Sequence, residues 1–324
     1  MSAPSERSRW PSTRVTELLD LDHPTIQGPF GGGLSSVELA AAVSNAGGLG
    51  SFDAQPLTPA EVSATVGELR AATRGSFAMN LWVSTHDLAE SEMTRERFEV
   101  APPAFPERPG SDFDTQFAAM LEARPPAFSF VFGVPDAAKL DACRDAGIVT
   151  IGTAITVAEA VALDDAGVDI IVASGFEAGG HRVAFLDTAE ESLVGTIALI
   201  PAVVDQVRAP VVAAGGIADQ RGIAAALALG AEGVQIGSAF LATDESAAPA
   251  AHRTLSRATG QRHTRLTRAF SGRLARGIPN QAMELVDADP ALIQPYPYQG
   301  HLIAPMRAAS IARRDCEGLS LWAG

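Results

Sequence analysis

Cysteine is scarce in this 324-residue chain: Cys143 and Cys316 are the only two, far apart and in no CxxC pair. That excludes a disulfide framework or a thiolate metal centre and predicts free thiols in a reducing cytoplasm, with no metal site. Lysine is rarer still. Lys139 stands alone, so the basic charge is almost all arginine, and the net charge of −14 opposes nucleic acid and anionic membrane as partners. It does not oppose a phosphate group, which backbone N–H groups can grip locally. No apolar run reaches the roughly 18 residues of a membrane span, and MSAPSERSRWPSTR lacks the apolar core of an export signal, so the expected location is cytoplasmic.

What is present is apolar sequence cut by glycine: 47% hydrophobic residues and 30 glycines. Eight short apolar runs recur at 25–27, 49–52, 77–83, 127–132, 149–153, 170–174, 211–214 and 233–236. Runs such as IIVAS and VVAA do not alternate polar with apolar, which suits strands covered on both faces of a parallel sheet. Between them, Ser35-x-x-Glu38, Thr58-Pro59-x-Glu61 and Thr156-x-x-Glu159 have capping-box spacing, and Gly147, Gly167 and Gly230 stand where helices end. The pattern predicts an α/β fold, a (β/α)8 TIM barrel over residues 24–245; an open doubly wound sheet would share much of it.

Three stretches break the rhythm. Residues 1–23 read as an N-terminal tail. An insertion at about 85–125, containing PPAFPERPG, is too long for a plain loop and predicts loop plus a short helix. Residues 246–292 predict a small, mainly helical cap after strand eight, and 293–324 a segment that returns to the barrel through QPYPYQGHL and a final helix.

Chemistry concentrates where the strands end. AAGGIAD ends strand seven with Gly215 and Gly216, and QIGSAF ends strand eight with Gln235, Gly237 and Ser238. Two glycine-rich ends at that place form the usual phosphate site of a barrel, because bare backbone lets N–H groups approach the anion. QGPFGGGLSS gives strand one a similar end, with Gly28, Pro29, Phe30 and Gly31, where a flat ring can lie against main chain. Strand six ends at Ser174 and opens SGFEAGGHR, which carries Gly179, Gly180 and His181 on a loop that composition makes flexible. An imidazole there can accept a proton near neutral pH. Asn80, on strand three, has an amide for a ring or ribityl chain, or one satisfied by backbone. Tyr296 and Tyr298 wall the pocket or merely pack; Arg273 and Arg276 in SGRLARGIPN attract an anionic substrate or only tie the cap to the barrel by ion pairs.

Taken together, PTIQGPFGGG, VSNAGGLGSF, FAMNLWV, FVFGVP, SGFEAGGHR, PVVAAGGIADQRG and RAFSGRLARGIPN resemble the nitronate monooxygenase family, formerly 2-nitropropane dioxygenases, over most of residues 24–280. The resemblance implies an FMN-dependent barrel that oxidises alkyl nitronates with O2 to a carbonyl compound and nitrite. It implies His181 as the catalytic histidine. It assigns Gly28, Pro29, Phe30, Gly31, Asn80, Ser174, Gly179, Gly180, Gly215, Gly216, Gln235, Gly237 and Ser238 to the flavin and its phosphate. Substrate contacts would fall to Arg182, Tyr296 and Tyr298, and the partners would be a small molecule and O2; a homodimer is left open.

Three departures bear on substrate: Phe30 where the family usually has Met, Arg182 directly after the histidine, and no lysine beside Tyr296 and Tyr298. Alternatives on the same scaffold are an enoyl-thioester reductase or quinone reductase that consumes NAD(P)H, and a tailoring oxidase of a larger carbon acid. A non-catalytic flavin-binding protein is the reading from a different class.

Overall fold

The structure, a computed structural model, describes residues 12–83, 112–258 and 263–324. Eight parallel strands form its sheet: β1 Thr25–Gln27, β2 Gly50–Asp53, β3 Phe77–Trp82, β4 Ala127–Val131, β5 Val149–Ala154, β6 Ile170–Ser174, β8 Val211–Ala214 and β9 Gly233–Ile236, with a two-residue strand β7 (Gly180–His181) outside it. The order β1-β9-β8-β6-β5-β4-β3-β2 leaves β1 and β2 at its ends, and a parallel bridge between Ile26 and Leu49 joins them. The sheet is therefore a barrel, and each expected strand lies within a residue or two of its predicted place.

Parity along the strands builds the interior. Leu49, Ala78, Ala127, Ile151, Ile170, Val172 and Val212 pack together inside one end. Phe77, Met79, Phe128, Phe130, Ile171 and Ala213, one step out of phase, face the surrounding helices. Towards the C-terminal ends the inner wall turns polar, with Asp53, Asn80, Thr153, Ser174 and Gln235 around one cavity. The sequence thus fixes which mouth can hold a polar ligand.

Helix starts follow the caps with two adjustments. Thr58 and Glu61 complete a reciprocal capping box. Ser36, rather than Ser35, caps Val37–Asn45, and Ser35 is instead used at the barrel mouth. Thr156 caps Val157–Asp165, but the Glu159 carboxylate accepts from Ile155, Phe185 and Leu186 N–H groups. Gly147, Gly167 and Gly230 take positive φ at the helix ends, which an L side chain resists.

Two segments differ from expectation. Within the predicted tail, Arg14–Leu19 form a helix capped by Thr13, and its Val15 and Leu19 plug the apolar end of the barrel. Six residues carry too little periodicity to announce a helix, and burial rather than propensity holds it. In the cap, Ala250–Arg257 and Gln281–Ala288 are helical, but Arg265–Thr267 (β10) and Ala275–Gly277 (β11) form an antiparallel hairpin. Strand β11 also pairs with β7, opposing Ala275 to His181. Most of the 85–125 insertion lies outside the described residues; its end is the helix Phe113–Ala123. Tyr298–Arg313 supplies the final helix.

Candidate active site

A cavity of about 260 Å³ occupies the polar mouth, lined by the first-strand loop, the ends of β2, β3, β5, β6, β8 and β9, the His181 loop, Trp322 and Gly324. It gathers His181, Gly28, Pro29, Phe30, Gly31, Asn80, Ser174, Gly179, Gly180, Gly215, Gly216, Gln235, Gly237 and Ser238. Every residue the resemblance assigned to catalysis or the flavin faces one space.

The glycines test whether that space suits a phosphate-bearing flat ligand. A Cβ on Gly28, Gly31 or Gly237 would have its nearest neighbour at 3.5, 3.6 and 4.0 Å respectively, and none of the three has a positive φ. Neither packing nor backbone conformation demands glycine at these positions. What glycine provides is bare main chain facing the cavity, the requirement of close approach by a ring or phosphate. Gly216, at φ +69°, turns the end of β8. Gly179 is different: a Cβ would lie 2.6 Å from the Ala323 carbonyl carbon, so its smallness admits the 322–324 segment. Gly324 N–H also donates to Ser238 Oγ at 3.0 Å.

The SGFEAGGHR loop is pinned, in contrast to the flexibility its composition suggests. Arg182 is 2% exposed and donates from Nη1 to Gly175 O at 2.7 Å and from Nη2 to Ser174 O at 3.1 Å. Burial pushes its guanidinium down to about 10, with Arg276 adding to the effect, so it remains charged at neutral pH. The expected substrate role of Arg182 is not matched by its placement, since its head is spent on strand-end carbonyls and it does not line the cavity. Arg276 donates to Phe176 O at 2.8 Å and stacks on the Phe176 ring. Glu177 accepts from both the N–H and the hydroxyl of Thr196.

These ties hold His181 in an aromatic box. Its ring centroid is 5.2 Å from that of Trp82, edge-on, and 5.5 Å from that of Trp322. Nε2 lies 2.8 Å from Ser271 Oγ. Burial, assisted by the positive charge of Arg273, lowers the imidazole to about 3, so the ring is neutral at physiological pH. Arg273 is sandwiched between Phe132, 4.0 Å from its guanidinium carbon, and Tyr296, at 4.3 Å. Stacked cations of this kind gain about 1–2 kcal/mol when desolvated. Tyr296 also packs on Trp82, whereas Tyr298 begins the final helix and does not line the cavity. Asn80 donates to Ser129 Oγ at 3.0 Å, which leaves its Oδ1 for a ligand.

The sequence reading did not single out Trp82, Phe132, Ser271, Asp53 or Trp322. Asp53 alone carried a signal, as a carboxylate ending an otherwise uncharged strand, GSFD.

A TIM barrel with a glycine cradle and a desolvated histidine at one mouth has the form of an enzyme that takes a phosphate-bearing ligand. The family model for nitronate monooxygenase matches residues 12–324, and the chain belongs to that family of oxidoreductases, which are flavoenzymes. A probable nitronate monooxygenase of Bacillus subtilis (strain 168) is 39% identical over 312 residues, covering 94% of this chain and 90% of the relative. Another from Staphylococcus saprophyticus is 37% identical over 325 residues, covering 97% and 91%. Among solved structures, nitroalkane oxidase from Streptomyces ansochromogenes superposes with a TM-score of 0.85 at 37% identity, covering 96% of this chain and 91% of that one.

Among the described residues, no helix is long and apolar enough to cross a membrane, and no group of three metal-ligating side chains is found.

Proposed function

We propose that the cavity binds FMN and that the protein oxidises an alkyl nitronate with O2 to a carbonyl compound and nitrite. The observation carrying this reading is His181, neutral and desolvated, in the same cavity as three glycines that packing does not require. Gly215, Gly216, Gly237 and Ser238 would hold the phosphate with main-chain N–H groups, and Gly28–Gly31 with Asn80 would hold the ring. FMN bound there supplies the two-electron acceptor and the reaction with O2.

His181 suits a substrate that is already an anion. An imidazole lowered to about 3 is a weak base for carbon. Where the Ser271 hydroxyl donates to Nε2, however, Nδ1 carries the proton and can donate to a nitronate oxygen. Arg273, behind the aromatic wall, adds positive potential without offering a proton. Trp82, Phe132 and Trp322 exclude water around the imidazole, which strengthens that hydrogen bond. The family match and the nitroalkane oxidase neighbour support the substrate class.

The test is oxygen uptake with stoichiometric nitrite release from propionate 3-nitronate or the 2-nitropropane anion. His181→Asn should lose most of it, while a yellow FMN spectrum persists. Full flavin without nitrite release would overturn the substrate; anaerobic bleaching by NADPH would favour an enoyl-thioester or quinone reductase instead. Protein that neither contains nor takes up FMN would overturn the reading entirely.

A further inference from the structure

The proposed mechanism uses one ionisable group of the cavity wall, His181, and leaves another unused. Asp53 ends β2, 3% exposed, and lines the same cavity. Neither carboxyl oxygen completes a hydrogen bond of good geometry, although the Gln55 N–H and the Trp82 indole lie close to the group. A Cβ built on Gly31 would stand 3.8 Å from Asp53 Oδ2 and 3.6 Å from Trp82 Cζ2, so carboxyl and indole lie side by side against the first glycine loop. The position is fixed from the backbone: Ser35 Oγ accepts from Asp53 N–H at 3.0 Å and from Phe30 N–H at 3.2 Å. Strand end and loop therefore cannot separate without breaking that hydroxyl's bonds.

A carboxylate buried without partners is costly, and proteins normally pair or neutralise it. The side chains on the neighbouring elements offer no charge to pair with: Gln27 on β1, Asn80 and Trp82 on β3, Ser35 on the loop, and Gln116 on the helix Phe113–Ala123. Of the other ionisable side chains, neutral His181 lines the cavity and Arg273 lies beyond the Trp82 ring, outside the lining. Burial accordingly pushes the Asp53 carboxyl up to about 7, and the Gln55 N–H and the Trp82 indole offset this only in part. The group thus stands ready to change protonation near neutral pH, beside the loop assigned to the ring.

We propose that Asp53 is the proton acceptor that keeps this cavity neutral when its occupant gains negative charge. The proposal rests on the flavin reading above. Two electrons from dithionite and one proton from solvent would leave one negative charge on a bound flavin ring. Where Asp53 is ionised beforehand, its carboxylate takes a second proton from solvent. The exchange is then two electrons and two protons, and the wall does not carry a second negative charge beside the first.

The experiment is the midpoint potential of the flavin-loaded enzyme from pH 6 to 9, wild type against Asp53→Asn. Above the pH at which the reduced ring holds its own second proton, wild type should show about twice the pH slope of the variant, two protons against one per two electrons. Equal slopes would overturn the proposal. The wild type gives a second measurement should Asp53→Asn fail to load: the reduced-minus-oxidised infrared spectrum at pH 8 should gain the C=O stretch of a protonated carboxyl. Its absence would also overturn the proposal. Failure of the wild type to bind flavin would instead remove the reading on which the proposal rests.

Discussion

His181 Nε2 stands 2.8 Å from Ser271 Oγ, although ninety positions separate the two residues. The hydroxyl also accepts from Arg273 N–H at 3.3 Å and lies 3.2 Å from Arg273 O. It has one proton to give. If that proton goes to Nε2, the shorter contact, the imidazole carries its own proton on Nδ1 and is a donor towards the cavity. If it goes to Arg273 O, Nε2 is the protonated nitrogen and Nδ1 becomes a base. Rotation of one hydroxyl therefore decides whether His181 positions an anion or abstracts a proton.

Ser271→Ala should retain flavin and lower kcat/KM for a nitronate roughly tenfold, the loss of one hydrogen bond worth about 1.4 kcal/mol. Ser271→Thr, which keeps the hydroxyl, should recover most of it. Nitrogen NMR of labelled histidine should show His181 protonated on Nδ1 in the wild type and a mixed tautomer in the alanine variant. A wild-type ring protonated on Nε2 would assign His181 to proton abstraction and favour the neutral nitroalkane as substrate.

The contact with Ser271 also shows where sequence stops being informative. The barrel was legible because its strands are uniformly apolar and its helices begin with caps, both local signals. The glycine-rich ends were legible because they fall at one mouth of that barrel, so fold and site came together. The hairpin β10–β11 was not, because RLT and ARG are three residues each and carry charge rather than alternation. Without it, nothing separates Arg273 from Arg276 or shows where Arg182 goes. Pairing of Ala275 with His181 sends Arg182 under the loop, where Arg276 also grips it, and leaves Arg273 among the aromatic rings.

Two glycines should separate fold from ligand binding. A Cβ on Gly50 would lie 1.9 Å from Ala40 O, so the helix Val37–Asn45 must leave its strand. Gly50→Ala should cost about 2–4 kcal/mol of stability, in line with severe overpacking, and lower the Tm. Gly237→Ala meets nothing nearer than 4.0 Å, so its Tm without ligand should hardly change. Its methyl group would nevertheless intrude on main chain facing the cavity, and the FMN Kd should rise at least tenfold. Equal loss of Tm in both variants would mean that Gly237 serves packing alone.

Stability against pH should expose the two buried groups as opponents. Asp53 is raised from 3.8 to about 7; its contribution is present below pH 3.8 and is lost as pH rises towards 7. His181 is lowered from 6.5 to about 3; its contribution is present above pH 6.5 and is lost as pH falls towards 3. Between about pH 4 and 6.5 the native state holds one proton more than the unfolded chain at Asp53 and one fewer at His181. The slopes, each about 1.4 kcal/mol per pH unit at most, cancel. Urea unfolding at pH 4.5, 5.3 and 6.0 should therefore give a shallow profile for these two groups in the wild type. Relative to it, Asp53→Asn should gain stability as pH rises and His181→Asn should lose stability as pH rises. Variants whose profiles run parallel to the wild type would show that neither group keeps its shifted proton affinity in the folded protein.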